Sequence, residues 1–278
     1  MCRWIAYRGE SIPLESYVTQ PVHSLVSQSV HALESTAIFN GDGFGLGWYG
    51  EQIEPGLYKE LRPAWSDENL QHLCRHLRSH LFFAHVRAAT GTSVSRPNCH
   101  PFAHGKWMFM HNGVVGNWDA VRRDIERMIP DELYLSRNGT TDSEALFLAA
   151  LGLGLAPSSH HADEPRQDPV TAVARMVEAV TALVRERGNG APFKFTAALA
   201  DGRDLYAFRY AAHDSSNSLY YRALGNAVVV ASEPLDQDRG SWVGVADNSV
   251  LVARWGEQVE VRPFLQDTAT IEKVPAAR

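Results

Sequence analysis

Apolar positions along the chain change their period several times, and each change marks an element. Met1 to Tyr7 reads Met-Cys-Arg-Trp-Ile-Ala-Tyr, a short strand-like start that carries a cysteine at its very tip. From Ser24 to Leu33 the apolar residues Leu25, Val26, Val30 and Leu33 recur at helical spacing. Asn40 to Gly50 is a glycine-dense turn that runs into an aromatic strand. Ser66 reads as the N-cap of a helix from about Asp67 to His80. Leu81 to Val86 and Lys106 to Met110 have the apolar density of buried strands, and helices are expected over Trp118 to Met128 and Asp142 to Leu153. Pro157 to Pro169, polar and rich in Pro, Ser and His, reads as a surface loop. A further helix over Val170 to Arg187 precedes strand-like runs at Phe193 to Ala200, Tyr220 to Leu224, Ala227 to Ala231 and Ser249 to Trp255. Strands, then helices, then strands again predict sheets and helices in layers. No internal repeat or low-complexity tract interrupts the pattern, so a single domain over residues 1–278 is the simpler reading.

Composition narrows the function classes. The 278 residues are 45% apolar and 21% charged, an ordinary globular balance. A formal charge of −6 without a basic stripe argues against nucleic acid as a partner, leaving small molecules or proteins. Three cysteines, at positions 2, 74 and 99, form no disulfide framework and fit a reducing compartment. No apolar run reaches the ~18 residues of a membrane span, and the N-terminus lacks the features of a secretion signal. The expected location is the cytoplasm.

The chemistry starts at Cys2. Removal of Met1 leaves a thiol and a free α-amine on one carbon, so one residue supplies both nucleophile and base. The amine, with a reference pKa of about 7.7–8.0, suits a proton leaving a thiol of about 8.5. Four further segments fall at strand or helix ends, where backbone donors are free: His85-Val86-Arg87-Ala88-Ala89-Thr90, Asn98-Cys99-His100-Pro101-Phe102, His111-Asn112-Gly113 and Gly139-Thr140-Thr141-Asp142-Ser143-Glu144. A γ-glutamyl group demands such residue types. Its α-carboxylate suits the planar fork of an arginine, Arg87, and its α-ammonium suits a carboxylate, Asp142. Its carbonyl needs two fixed donors as it becomes a tetrahedral oxyanion, and the Asn112 amide with the Gly113 N–H is such a pair.

Each residue also has a purely structural reading. Cys2 can be a small strand residue, Arg87 an ion-pair partner, Asp142 a helix cap and Asn112-Gly113 a turn. The glycine run from Gly41 to Gly50 matches neither the Rossmann nor the Walker spacing. His72, His76 and His80, spaced by four beside Cys74, would share one helix face and suggest a metal, although Arg75 and Arg78 point to a solvated surface. Cys74 and Cys99 read as partly buried thiols.

The ordered set of Met1-Cys2-Arg3, Asn40-Gly41-Asp42-Gly43-Phe44-Gly45, His85-Val86-Arg87-Ala88, Asn98-Cys99-His100-Pro101-Phe102, Phe109-Met110-His111-Asn112-Gly113 and Thr141-Asp142-Ser143-Glu144 resembles the class II glutamine amidotransferase domains of the N-terminal-nucleophile hydrolase superfamily. It spans roughly the first 150 residues. The resemblance implies an α+β fold, a four-layer αββα sandwich of two antiparallel sheets with helices outside. It implies Cys2 as nucleophile, Arg87 and Asp142 as the grip on the glutamyl head, and Asn112 and Gly113 as the oxyanion hole. Thr90 and His100 match positions near the substrate pocket, and the loop around Asp42 and Gly43 resembles one that closes against the nucleophile. No metal or organic cofactor is implied. Pro21-Val22-His23-Ser24-Leu25 and Leu61-Arg62-Pro63-Ala64-Trp65, with Asn98 to Phe102, look most like the branch containing the amidotransferase subunit of the fungal glutathione-degrading complex and bacterial ergothioneine-pathway γ-glutamyl hydrolases. In that branch the substrate can be larger than glutamine. The expected function is therefore hydrolysis of a γ-glutamyl amide through a thioester. The alternatives are ammonia delivery to a separate synthetase subunit, a non-catalytic glutamine-binding subunit, and a metal-binding or redox protein.

Overall fold

A computed structural model of the chain describes residues 2–34, 39–89, 91–155, 167–212 and 215–265. In chain order the elements are β1 (Arg3–Pro13), α1 (Glu15–Val18), α2 (Leu25–Val30), β2 (Phe44–Trp48), β3 (Gly56–Glu60), α3 (Glu68–His76) and β4 (Arg78–Val86). There follow β5 (Phe102–His104), β6 (Trp107–Val115), α4 (Trp118–Glu126), α5 (Asp131–Tyr134), α6 (Asp142–Ala150) and α7 (Pro169–Arg187). The chain closes with β7 (Phe193–Ala200), β8 (Leu205–Ala211), β9 (Tyr220–Leu224), β10 (Ala227–Ala231), β11 (Val243–Gly244), β12 (Ser249–Ala253) and β13 (Glu260–Pro263).

The strands form two antiparallel sheets. One runs β11-β9-β10-β1-β4-β2-β3 and the other β13-β12-β8-β7-β6-β5. Alternation along β1 shows why helices cover both outer faces. Trp4 and Ala6 point inward and pack with Phe83, Met108 and Met110 between the sheets, while Ile5 and Tyr7 point outward beneath the layer that holds Val18, Leu25 and Leu70. The second sheet buries its outer face under α4, α6 and α7, where Phe109, Phe147 and Phe195 stack at centroid distances of 5.3 and 6.2 Å. The result is the four-layer αββα sandwich.

Several boundaries differ from the sequence reading. The cap of α3 is Asp67, which accepts the Leu70 N–H at 2.9 Å, and the helix ends at His76. His80 therefore lies on β4, where its Nε2 meets the Gly202 carbonyl at 2.9 Å, and it shares no helix face with His72 and His76. Asn112-Gly113 is not a turn, because β6 continues through it to Val115, with Asn112 opposite Thr196 and Gly113 opposite Phe195. Helix α2 stops three residues short of Leu33. Most of the loop expected over Pro157 to Pro169 lies outside the described residues, and Pro169 itself opens α7 with Asp168 as its cap. No described helix is long and apolar enough to cross a membrane.

Candidate active site

Cys2 stands at the head of β1, between the ends of β4 and β6. Its Sγ receives the Ala88 N–H at 3.4 Å and lies 3.5 Å from the Ala88 carbonyl. Burial raises the thiol pKa, opposed by the Ala88 N–H and by the positive charges of Arg87 and Arg3. The thiol is thus held neutral at neutral pH and needs a base to ionise.

From the second sheet, the buried Asn112 donates its side-chain amide to the Cys2 carbonyl at 2.9 Å. An amide nitrogen carries two hydrogens, so this bond uses one and leaves the other free. Asn112 is fixed from behind by Asn217, also buried, whose amide donates to the Asn112 carbonyl at 2.8 Å. Gly113 follows. A Cβ there would collide with the Lys194 carbonyl and with the His111 ring, so only glycine lets the backbone pass this point.

Arg87 extends from the end of β4 and is 3% exposed. One terminal nitrogen donates to Thr92 Oγ1 at 2.7 Å and to the Ser93 carbonyl at 3.1 Å, while the other is buried without a partner. A buried guanidinium nitrogen with nothing to donate to is costly, and a carboxylate is its natural complement. Asp142 opens α6, whose cap is Thr141 rather than Asp142 itself. The Asp142 carboxylate accepts from Val115 N at 3.0 Å and Ser143 N at 2.8 Å, which ties it to β6 two residues beyond Gly113. The structure therefore brings Cys2, Arg87, Asn112, Gly113 and Asp142 to one end of the sandwich. Thr90 lies outside the described residues.

His100 is placed differently. Its ring lies beneath the site, stacked on His85 at 4.3 Å and edge-on to Phe102 at 4.7 Å. All four ring nitrogens of the His85–His100 pair are buried without a partner. Burial drives His85 down to about 3, with Arg87, His111 and Lys59 adding to the shift, and drives His100 well below its ordinary value for the same reason. His111 hydrogen-bonds Ser143 Oγ at 2.9 Å, linking β6 to the start of α6.

Further side chains tie the segments around the site together. Asp42 accepts the Ala89 N–H at 2.7 Å, and its own N–H donates to the Arg87 carbonyl, so the loop before β2 is laced to the segment over the thiol. Ser232 Oγ receives the Trp4 N–H at 3.1 Å and its backbone N–H returns a bond to the Trp4 carbonyl. Asn217 and Ser232 act across separations of 105 and 228 residues, for which no local pattern gives a signal. Among the described residues no group of three or more His, Cys, Asp or Glu side chains converges as a metal site would require.

Comparison with known proteins bears on the family of the chain. The family described as class-II glutamine amidotransferases matches residues 22–224. A probable glutamine amidotransferase of Saccharomyces cerevisiae, DUG3, is 32% identical over 91% of this chain and 82% of its own length. The gamma-glutamyl-hercynylcysteine sulfoxide hydrolase of Mycolicibacterium smegmatis is 26% identical over 91% of this chain and 96% of its own. A solved glutamine aminotransferase class-II domain protein from Silicibacter pomeroyi superposes with a TM-score of 0.72 at 36% identity, covering 95% of this chain and all of that one. The chain belongs to the class-II glutamine amidotransferases.

Proposed function

We propose that this amidohydrolase cleaves a γ-glutamyl amide, either glutamine or a larger γ-glutamyl conjugate, with Cys2 as the N-terminal nucleophile. The observation that carries the reading is the Asn112 amide. One of its hydrogens holds the Cys2 backbone at 2.9 Å, and the other is left for an oxyanion forming on a carbonyl attacked by the neighbouring sulfur. The unpartnered Arg87 nitrogen supports capture of the substrate α-carboxylate, and the remaining lone pairs of Asp142 support capture of its α-ammonium.

In this mechanism Met1 is removed and the Cys2 amine, through a water, takes the thiol proton. The thiolate adds to the γ-carbonyl, and the oxyanion is held by Asn112 Nδ2 and the Gly113 N–H. The tetrahedral species expels ammonia or an amine, which leaves with the proton from the Cys2 ammonium. Water then adds to the thioester and releases glutamate, restoring the thiol. His100, stacked on His85, supports the pocket without touching the reacting atoms. Hydrolysis by the chain itself, without an ammonia-accepting subunit, is the favoured course. The three free thiols favour a reducing location such as the cytoplasm.

The test combines intact mass with product analysis. Active protein is expected to lack Met1 and to release glutamate from γ-glutamyl amides, and Cys2→Ala is expected to lose at least ~10³-fold in rate. A diazo-ketone glutamine analogue should label the wild type alone. Equal turnover or labelling in both proteins would refute the nucleophile, and active protein that retains Met1 would refute the amine as base.

A further inference from the structure

Two large aromatic side chains stand exposed, each directly next in the chain to a buried residue. Phe39 is 58% exposed and Asn40, the next residue, 0%. Trp65 is 38% exposed and Ala64, the residue before it, 1%. The rings face one another at 6.4 Å. Both backbones are anchored. Asn40 N–H donates to the Ser29 carbonyl at 2.8 Å, and the turn that bears Trp65 is closed by the Ser66 N–H to Pro63 carbonyl bond and followed by the Asp67 cap of α3. The rings are thus displayed by rigid segments.

Their position connects them to the thiol. Trp65 rests on Gly41, where a Cβ would come within 2.8 Å of the indole, so the absence of a side chain at Gly41 is what lets the ring approach. Gly41 precedes Asp42, which bonds Ala89 N–H and the Arg87 carbonyl, and the adjoining Ala88 N–H contacts Cys2 Sγ. The side chains that would grip the glutamyl head use other partners: Arg87 turns to Thr92 and Ser93, and Asp142 to Val115 and Ser143. The aromatic pair is joined to the segment over the thiol through Gly41 and Asp42, and not through the partners that hold Arg87 and Asp142. Ammonia leaving from glutamine has no apolar surface to place there, whereas an amine with a planar or apolar body does.

We infer that Phe39 and Trp65 form a leaving-group subsite that selects γ-glutamyl amides of aryl or bulky alkyl amines over glutamine. This rests on the γ-glutamyl hydrolase reading and specifies its substrate class. The measurement is the ratio of kcat/KM for γ-glutamyl anilide to that for glutamine. Trp65→Ala and Phe39→Ala are each expected to lower this ratio at least ~10-fold, and Trp65→Phe to recover most of it. Leu135→Ala, which removes a 90% exposed side chain, serves as the control that keeps the ratio. A ratio unmoved in both alanine variants, or equal losses on both substrates, overturns the subsite. Should the wild type release glutamate from neither compound, the hydrolase reading itself fails, and binding then judges the subsite. Calorimetric titration of Cys2→Ala protein with γ-glutamyl anilide is expected to weaken at least ~10-fold on adding Trp65→Ala. No binding, or equal binding by both proteins, overturns it.

Discussion

His85 and His100 carry the sharpest pH consequence at the level of single residues. Both rings are buried, stacked and unpaired, and both favour the neutral form. The folded His85 pKa, about 3, lies below its ordinary value of 6.5. Between those values the unfolded chain binds a proton that the native state refuses, so the free energy of unfolding rises with pH. The contribution is complete above about 6.5 and is lost as pH falls towards about 3. From pH 7 to pH 5 the expected loss is about 2 kcal/mol for His85, with a further loss from His100, readable as a lower urea midpoint. His85→Gln should remove its own share. An unchanged wild-type midpoint across that range would show that the pair is not held neutral. The residues proposed for the site were legible in the sequence because they fall in short, ordered segments: Cys2, Arg87, Asn112, Gly113 and Asp142 are the residue types that a γ-glutamyl amide would demand. The two-histidine stack was not legible there, because His85 and His100 come from different segments and only folding places one ring on the other.

Among the elements, the tie between β6 and the segment entering β9 sets how firmly the proposed oxyanion donors are held. Asn217 donates to the Asn112 carbonyl, and Asn112 in turn holds Cys2. Asn217→Ala is expected to lower kcat about 10-fold while KM changes less than about 2-fold, because a loosened donor weakens the transition state more than the bound substrate. Asn217→Asp, which keeps the shape but loses the amide donor, should behave like alanine. A rise in KM with kcat intact would place Asn217 in substrate binding instead. Element type was legible wherever period and length agreed, as for α7 and β7. Ends were less so. Helix α3 stops four residues before the expected His80, because Leu77 takes an extended backbone and the chain turns directly into β4. Strand β8, Leu-Tyr-Ala-Phe-Arg-Tyr-Ala, went unrecognised: its two faces contact different layers, with Tyr206 and Phe208 beneath the helices and Leu205 and Ala207 between the sheets, so it lacks a clean polar alternation.

For the whole molecule, the three apolar clusters share strands. Trp4 and Ile5, consecutive on β1, belong to the intersheet cluster and an outer cluster, and Met108 and Phe109 on β6 do the same on the other sheet. Loss of one layer therefore strips contacts from the next. Urea unfolding followed by tryptophan fluorescence and by far-ultraviolet dichroism is expected to give coincident transitions, and Phe195→Ala, a fully buried ring in the outer cluster, should move both midpoints together at a cost of about 3–5 kcal/mol. Separate midpoints would mean that the layers unfold independently. The layered architecture was legible only in outline from the order of strands and helices. The pairing of strands remote in sequence, such as β1 with β10, leaves no trace in local periodicity.

That last pairing has a consequence for the birth of the enzyme. Strand β1 lies inside its sheet, with β4 on one side and β10, over two hundred residues downstream, on the other. A ribosome must release residues Ala227–Ala231 before β1 gains its second neighbour, so the strand that follows Cys2 stays open along one edge while more than two hundred further residues are added. If Cys2 is the nucleophile proposed above, its strand is flanked on both sides only after that long stretch of chain has been made.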